Sequence, residues 1–184
     1  TVNADSFDNT VISGHTALAS APDDTDELLI SDAGTIKRID VSLIKSTNTP
    51  SFRAGLSSAQ TISNSSHTVI VFDTEQFDTD SAYDNSNGKF TVPSGKAGKY
   101  FFYAHFRYQE ASKFDTAIEI HKNGSQVVHI EFGDNGNYPS CQASYICDLS
   151  AGDYIQATAY QLSGSNKDLT GNVNYTAFGG FKLA

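Results

Sequence analysis

Residues 99–109 read KYFFYAHFRYQ. Side chains of a strand alternate between two faces. Tyr100, Phe102, Ala104 and Phe106 therefore share one face, and Phe101, Tyr103 and His105 the other. Both faces are aromatic and apolar. A strand of an antiparallel sheet that leaves one face to water should show a polar side, and this one does not. One face needs the core of the domain, and the other needs a further cover. Another copy of the chain is the simplest cover; a long loop or the amino-terminal segment is the alternative. The alternation alone does not say which face meets which cover.

Working outward, runs with the same period of two recur between clusters of Gly, Asn, Asp and Ser. They are SFRAGL (51–56), HTVIVFD (67–73), KFTVP (89–93), TAIEIHK (116–122), SQVVHIEF (125–132), CQASYICDL (141–149), DYIQATAYQL (153–162) and NYTAFGGFKL (174–183). Helical periodicity is almost absent. The pattern predicts an all-β sandwich or barrel. One hairpin can be put in register. A two-residue Asn123-Gly124 loop would place Val127, His129 and Glu131 beside Ile118 and Ile120. A three-residue loop with Gly124 left-handed pairs His121 with Ser125. That register gathers Ile118, Ile120, Val128, Ile130 and Phe132 on one face. Core burial favours it, with His121 and His129 on the surface.

The first 45 residues differ. ELLIS (27–31), DAG (32–34) and TIKRID (35–40) read as a small hairpin, and VSLIK (41–45) as a helical turn. A lone hairpin is marginal in water, so this segment needs a partner, such as other copies of itself. STNTP (46–50) reads as a joint. The expected division is an attachment segment, 1–49, and a head, 50–184.

Among the 184 residues, 21 are acidic and 12 basic, a formal charge of -9. That balance opposes binding nucleic acid through its phosphates or docking on an anionic membrane. No run approaches the ~18 apolar residues of a membrane span, so no membrane insertion is expected. The start, TVNADSFDNT, is neither basic nor apolar and shows no signal peptide. It lacks Met, as expected of a processed or excised chain. Cys141 and Cys147 are six apart, ~20 Å along an extended strand against the ~7 Å a disulfide spans. They read as reduced, packing with Ala143, Tyr145 and Leu149 on one strand face.

No motif for catalysis stands out. There is no Gly-x-Ser-x-Gly elbow, no phosphate loop and no Cys-x-x-Cys, and the five histidines lack zinc-site spacings. No enzyme activity and no cofactor are expected. DTDSAYDNSNGK (78–89) resembles a calcium loop until its positions are tested. Counted from Asp78, position 5 is Ala82, position 6 is Tyr83 and position 12 is Lys89. An EF-hand wants an oxygen ligand, Gly and Glu there. The stretch reads instead as a turn into KFTVP, and a looser calcium site built from several loops stays open.

The order of motifs resembles the globular domain of the C1q/tumour necrosis factor superfamily. The run is carried by Phe72, Asp73, Phe77, Tyr83, Asp84, Gly88, Lys89, Phe90, Pro93, Gly98, Tyr100 and Phe102. HKNGSQV, LSAGDYI and the closing FGGFKL fit in the same order, and the resemblance covers residues 50–184. The PSGKAGKY connection is longer than usual. The resemblance implies a ten-stranded jelly roll forming a homotrimer, with the Tyr-x-Phe strand facing the threefold axis. Tyr100, Phe102, Ala104, Phe106, Tyr145 and Phe181 are then the candidate trimer interface.

GHTALASAPDDTDELLISDAGTIKRIDVSLIK (14–45) is similar to short modules in tail and fibre structural proteins of bacteriophages. A collagen-like stalk, usual before animal C1q heads, is absent. The pairing implies a phage virion protein whose trimeric head binds a host-surface glycan or protein, while residues 1–49 join other virion proteins. A capsid decoration trimer and a secreted C1q-like lectin are the alternatives. In such a jelly roll the loops 109–116, 132–140 and 162–174 lie opposite the termini. The candidate ligand residues there are Lys113, Phe114, Asp115, Asp134, Asn135, Asn137, Tyr138, Asn166, Lys167 and Asp168.

Overall fold

The structure, a computed structural model, describes residue 16 and residues 19–44, 48–133 and 137–183. The chain divides into two compact units, Thr1–Ser46 and Thr47–Ala184. In the first, β1 (Glu27–Asp32) and β2 (Thr35–Asp40) pair from Glu27↔Asp40 to Asp32↔Thr35. Ala33 and Gly34 both take left-handed backbone, the tight turn that matches strand twist. A 3-10 turn at Val41–Leu43 follows, with Val41 buried. Arg38 pairs with Glu27 at 3.0 Å across the strands. Leu28, Leu29, Ile30 and Ile36 remain exposed.

The second unit is a sandwich. One sheet runs β12 (Ser140–Leu149), β9 (Gly98–Arg107), β15 (Ala177–Lys182), β3 (Ser51–Gly55) and β6 (Thr74–Asp78). The other runs β11 (Ser125–Phe132), β10 (Thr116–Lys122), β13 (Tyr154–Gln161), β8 (Lys89–Thr91) and β7 (Tyr83–Asp84), with β5 (Thr68–Val69) also on β13. A small ladder joins β4 (Gln60–Ile62) to β14 (Lys167–Leu169). The run HTVIVFD thus yields only two ladder residues. Ile70 and Phe72 are fully buried beyond the ladder, with the Ile70 amide still donating to Ala157 O at 2.9 Å and Phe72 O accepting from the Tyr83 hydroxyl at 3.1 Å.

Aromatic rings fill the space between the sheets. The Phe52 ring lies 4.9 Å from Phe90, 5.0 Å from Phe178 and 5.1 Å from Tyr83. Each such buried ring contributes about 1.5–3 kcal/mol, so this cluster dominates the head's stability. Two glycines of β15 make room for it. A Cβ on Gly180 would stand 2.5 Å from Phe102 Cδ1, and one on Gly179 2.7 Å from the Tyr103 hydroxyl. One glycine admits an aromatic ring on each face of the sheet.

Three expectations need correction. Tyr100, Phe102, Ala104 and Phe106 are at most 1% exposed within a single copy. They belong to the chain's own core and cannot form a surface between copies. Tyr145 also packs against that core from the sheet edge, partly buried. The outward face of β9 carries Phe101, Tyr103, His105 and Arg107, and Phe181 joins it with its ring 5.6 Å from Phe101.

The second correction concerns the hairpin. Its loop is the two-residue Asn123-Gly124, both left-handed, with Lys122↔Ser125 and His121↔Gln126 paired. The register then shifts, because Ile120 pairs with Val128 and leaves Val127 as a bulge. A lost ladder bond costs about 0.5–1.5 kcal/mol, whereas turning Glu131 into the core would cost several. The bulge wins, and the expected apolar face is kept: Ile118 and Ile120 are buried, with Val128, Ile130 and Phe132 packed beside them.

The third correction is on the opposite face. His129 reaches the surface, but His121 is 19% exposed by side chain and the Glu119 carboxyl is wholly buried. Elsewhere, Cys141, Ala143 and Leu149 are buried on one face of β12, with Tyr145 and Cys147 partly so. Both thiols are free. Burial pushes them up, Cys141 to about 12 and Cys147 to about 11.

Candidate functional site

Strand registers fix the two ends of the head. Ser51 pairs with Phe181, and the Leu183 amide donates to Lys99 O at 2.8 Å, so the start of the first strand of the head and the end of its last strand lie together. β9 runs from there to Arg107, where the three loops converge. Gln109 N donates to Asp168 O at 2.9 Å, Tyr138 N to Glu110 O at 3.2 Å and Tyr108 N to Pro139 O at 2.9 Å. Asp115 O accepts from Leu162 N at 2.9 Å. A fourth segment, absent from the sequence reading, joins them: Asn64 Oδ1 accepts from Gly164 N at 2.8 Å.

The individual residues fare differently. Phe114 is buried, its ring edge-on to Tyr108 at 4.8 Å. It is a core residue under the loop, not a platform for a sugar ring. Lys167 lies above it, 5.8 Å from the ring, inside β14. Asp168 accepts from Thr61 Oγ1 at 2.6 Å, and Asn166 Oδ1 accepts from Asn64 N at 3.1 Å. These two hold the end of the sandwich together. Lys113, Asp115, Asn137 and Tyr138 are exposed. Asp134 and Asn135 lie outside the described residues.

The arrangement of greatest chemical interest at this end centres on Arg107. Its guanidinium carbon sits 3.7 Å over the Tyr175 ring and 5.4 Å over Tyr138. Its Nε donates to Thr170 Oγ1 at 3.5 Å. Among the described residues no carboxylate pairs with it. Beside it opens a cleft of about 400 Å³, lined by His105, Arg107, Ser140, Gln142, Asn174 and Tyr175 together with core residues. The cross-strand pairs Ser140↔Arg107 and Gln142↔His105 form its floor. Burial lowers the His105 pKa, helped by the Arg53 cation and opposed by a hydrogen bond with the Asn174 backbone. Only Tyr138 of this group carried a sequence expectation. The legible signal for Arg107 was its place as the fourth residue of the outward series 101, 103, 105, 107.

A second constellation lies on the outward face of the other sheet. Glu119 Oε2 accepts from His67 Nδ1 at 3.0 Å and His121 Nε2 at 2.9 Å; Oε1 accepts from His129 Nδ1 at 2.8 Å. His129 Nε2 faces Glu131 Oε1 at 3.0 Å. Both His129 nitrogens meet carboxylate oxygens, so the ring is held as an imidazolium. Glu131, then Glu119, raise its pKa. Burial works to raise the Glu119 pKa, but hydrogen bonds from the three histidines outweigh it and lower the value. The His67 ring stacks on Tyr160 at 4.7 Å. This carboxylate ties the segment before β5 to β10 and β11.

The former calcium candidate is a turn. Asp84 Oδ1 accepts from Ser86 N at 2.9 Å and Ser86 Oγ at 2.6 Å, and Oδ2 from Asn87 Nδ2 at 2.5 Å. Its oxygens serve the loop between β7 and β8. Among the described residues no three His, Cys, Asp or Glu side chains are grouped to hold a metal ion. Nor is any helix there long and apolar enough to cross a membrane.

Comparison with solved structures places the fold. The globular domain of zebrafish complement 1qA is 19% identical, with a TM-score of 0.52, covering 74% of this chain and 98% of that one. Murine APRIL at pH 8.0 is 14% identical with a TM-score of 0.54, covering 72% and 98%. Eiger TNF from S. frugiperda is 13% identical with a TM-score of 0.54, covering 73% and 92%. At such identities the likeness is one of fold. Comparison with curated protein sequences finds no match. The C1q domain model matches residues 51–183, the span of the whole sandwich; the chain belongs to the C1q domain family.

Proposed function

We propose that this chain forms a homotrimer whose head binds a ligand at the loop-bearing end and catalyses no reaction. C1q/TNF domains are typically trimeric, extracellular and ligand-binding. The observation that carries the reading is the outward face of the β9 sheet. Phe101, Tyr103 and Phe181 stand partly exposed there, with Ile146 at 64% and Phe77 at 49% exposure. The core behind them is already full, so this face calls for a cover of matching character. In the trimer the interface is formed by Phe101, Tyr103 and Phe181, and the loop end is left free opposite the chain termini. Three identical heads also give avidity to a weak site.

Residues 1–49 act as the attachment segment. A place on a bacteriophage virion, with host-surface recognition by the head, rests on the resemblance of residues 14–45. A secreted C1q-like lectin is the competing reading, favoured by the usual extracellular setting of the family. Native mass measurement tests the shared premise, with three chains expected; a stable monomer overturns it. Binding of labelled full-length protein to candidate host cells, with and without shortened 109–116 and 162–174 loops, tests the head. Unchanged attachment after shortening overturns the loop end as the working surface. Recovery of the chain from purified particles, rather than from culture medium, separates virion from secreted lectin.

A further inference from the structure

We propose that the cleft beside Arg107 binds a small acidic sugar, its carboxylate taken by the guanidinium and its hydroxyls by the surrounding polar groups. The inference rests on the reading of the loop end as the binding surface and names the ligand class for it. In a chain of formal charge -9, a partly buried arginine is found without a carboxylate partner among the described residues. Arg38 pairs with Glu27 at 3.0 Å, and Arg53 donates to the backbone carbonyl of Val173 at 3.2 Å. Two tyrosine rings and one threonine hydroxyl hold Arg107 instead. Rings over the guanidinium faces fix its plane and leave its edge donors free, the geometry for bidentate capture of a planar carboxylate.

The lining supplies the rest. Gln142 and Asn174 each offer an amide that can donate and accept, and Ser140 a hydroxyl. Among the described residues neither side-chain amide has a hydrogen-bond partner, while the Ser140 hydroxyl donates to Tyr138 O at 3.1 Å and keeps its lone pairs for a ligand. The His105 ring adds a polar group whose charged form burial disfavours. A cleft of about 400 Å³ suits one or two sugar rings. Toward the loop end this sheet face carries His105, Arg107, Ser140 and Gln142, while Lys99 and Asp148, at the opposite end, neutralise each other. Nearer the termini the same face carries Phe101, Phe181 and Ile146. One part of the face is suited to other copies of the chain and the other to a hydrophilic ligand.

The test is calorimetric titration of the full-length protein with glucuronate, glucose and inorganic phosphate. Glucuronate should bind, and glucose, the same ring without the carboxylate, roughly tenfold or more weakly. Arg107→Gln should lose glucuronate binding by a similar factor. Arg107→Lys should recover little of it, since an ammonium lacks the planar fork. Added salt should weaken the wild-type complex. Tyr175→Leu, which removes one clamp and leaves the charge, should weaken binding several-fold and serves if Arg107→Gln misfolds. Equal binding of glucuronate and glucose, or an unaffected Arg107→Gln protein of native mass and melting temperature, overturns the proposal. Phosphate binding without glucuronate binding also overturns it, in favour of a bare anion site. A trimer that attaches to cells yet ignores glucuronate refutes this inference alone. A monomer that binds glucuronate refutes the trimer instead.

Discussion

At the scale of the residue, Glu119 shows how much a single buried carboxylate can organise. Three histidines from separate segments donate to it, and Glu131 holds the far side of His129. The pH dependence follows from the two shifts. The Glu119 pKa is lowered on folding, so its contribution is present above the unfolded value of about 4.3 and is lost as pH falls through the folded one. The His129 pKa is raised, so its contribution is full below about 6.5 and is lost as pH rises through the folded value. Both are in place between about pH 4.5 and 6.5. Melting temperature should peak in that window. Glu119→Gln should lower stability there by about 1–3 kcal/mol and flatten the profile. A wild-type optimum above pH 8 would contradict the pairing. Gly180 offers a second test. Gly180→Ala drives a methyl to 2.5 Å from the Phe102 ring and should cost about 1–3 kcal/mol in urea unfolding.

At the scale of the element, the β10–β11 hairpin reconciles a local preference with a global one. Asn-Gly selects the two-residue turn, core burial selects the face, and Val127 absorbs the one-residue difference. Deleting Val127 should therefore join His121↔Gln126 directly to Ile120↔Val128 and keep the fold, changing stability by no more than the ~1 kcal/mol of one ladder hydrogen bond. Inserting a residue at the same point instead should set Val128, Ile130 and Phe132 against a shifted ladder, and the inserted protein should melt far lower. Equal melting temperatures for the two variants would refute this account of the bulge. The sequence pattern carried the face of each strand here but not the turn. Turn and bulge are separately legible only when both strand partners are known.

At the scale of the whole molecule, the proposed trimer turns on which face of β9 would meet other copies. Burial gives Tyr100, Phe102, Ala104 and Phe106 to the core, and we assign the interface to Phe101, Tyr103 and Phe181. The two sets predict opposite phenotypes. Phe101→Asp combined with Tyr103→Asp should yield a folded monomer by native mass, with near-native circular dichroism. Phe102→Ala should cost about 3–5 kcal/mol and unfold the head before it affects assembly selectively. Loss of fold in the double variant with trimers intact in the other would reverse the assignment.

The sequence by itself determined the class of fold, the C1q-like order of motifs and the alternation of every long strand. These are local facts, written at period two and in turn residues. Only the tertiary structure decided which aromatic face is core, because two equally apolar faces carry the same pattern. It also decided that Phe114 is buried, and that His67, distant in sequence, completes a cluster around Glu119. Arg107 meets Thr170, 63 positions on, and Glu119 meets His67, 52 positions back. Spacing along the chain does not record such meetings; sheet pairing creates them.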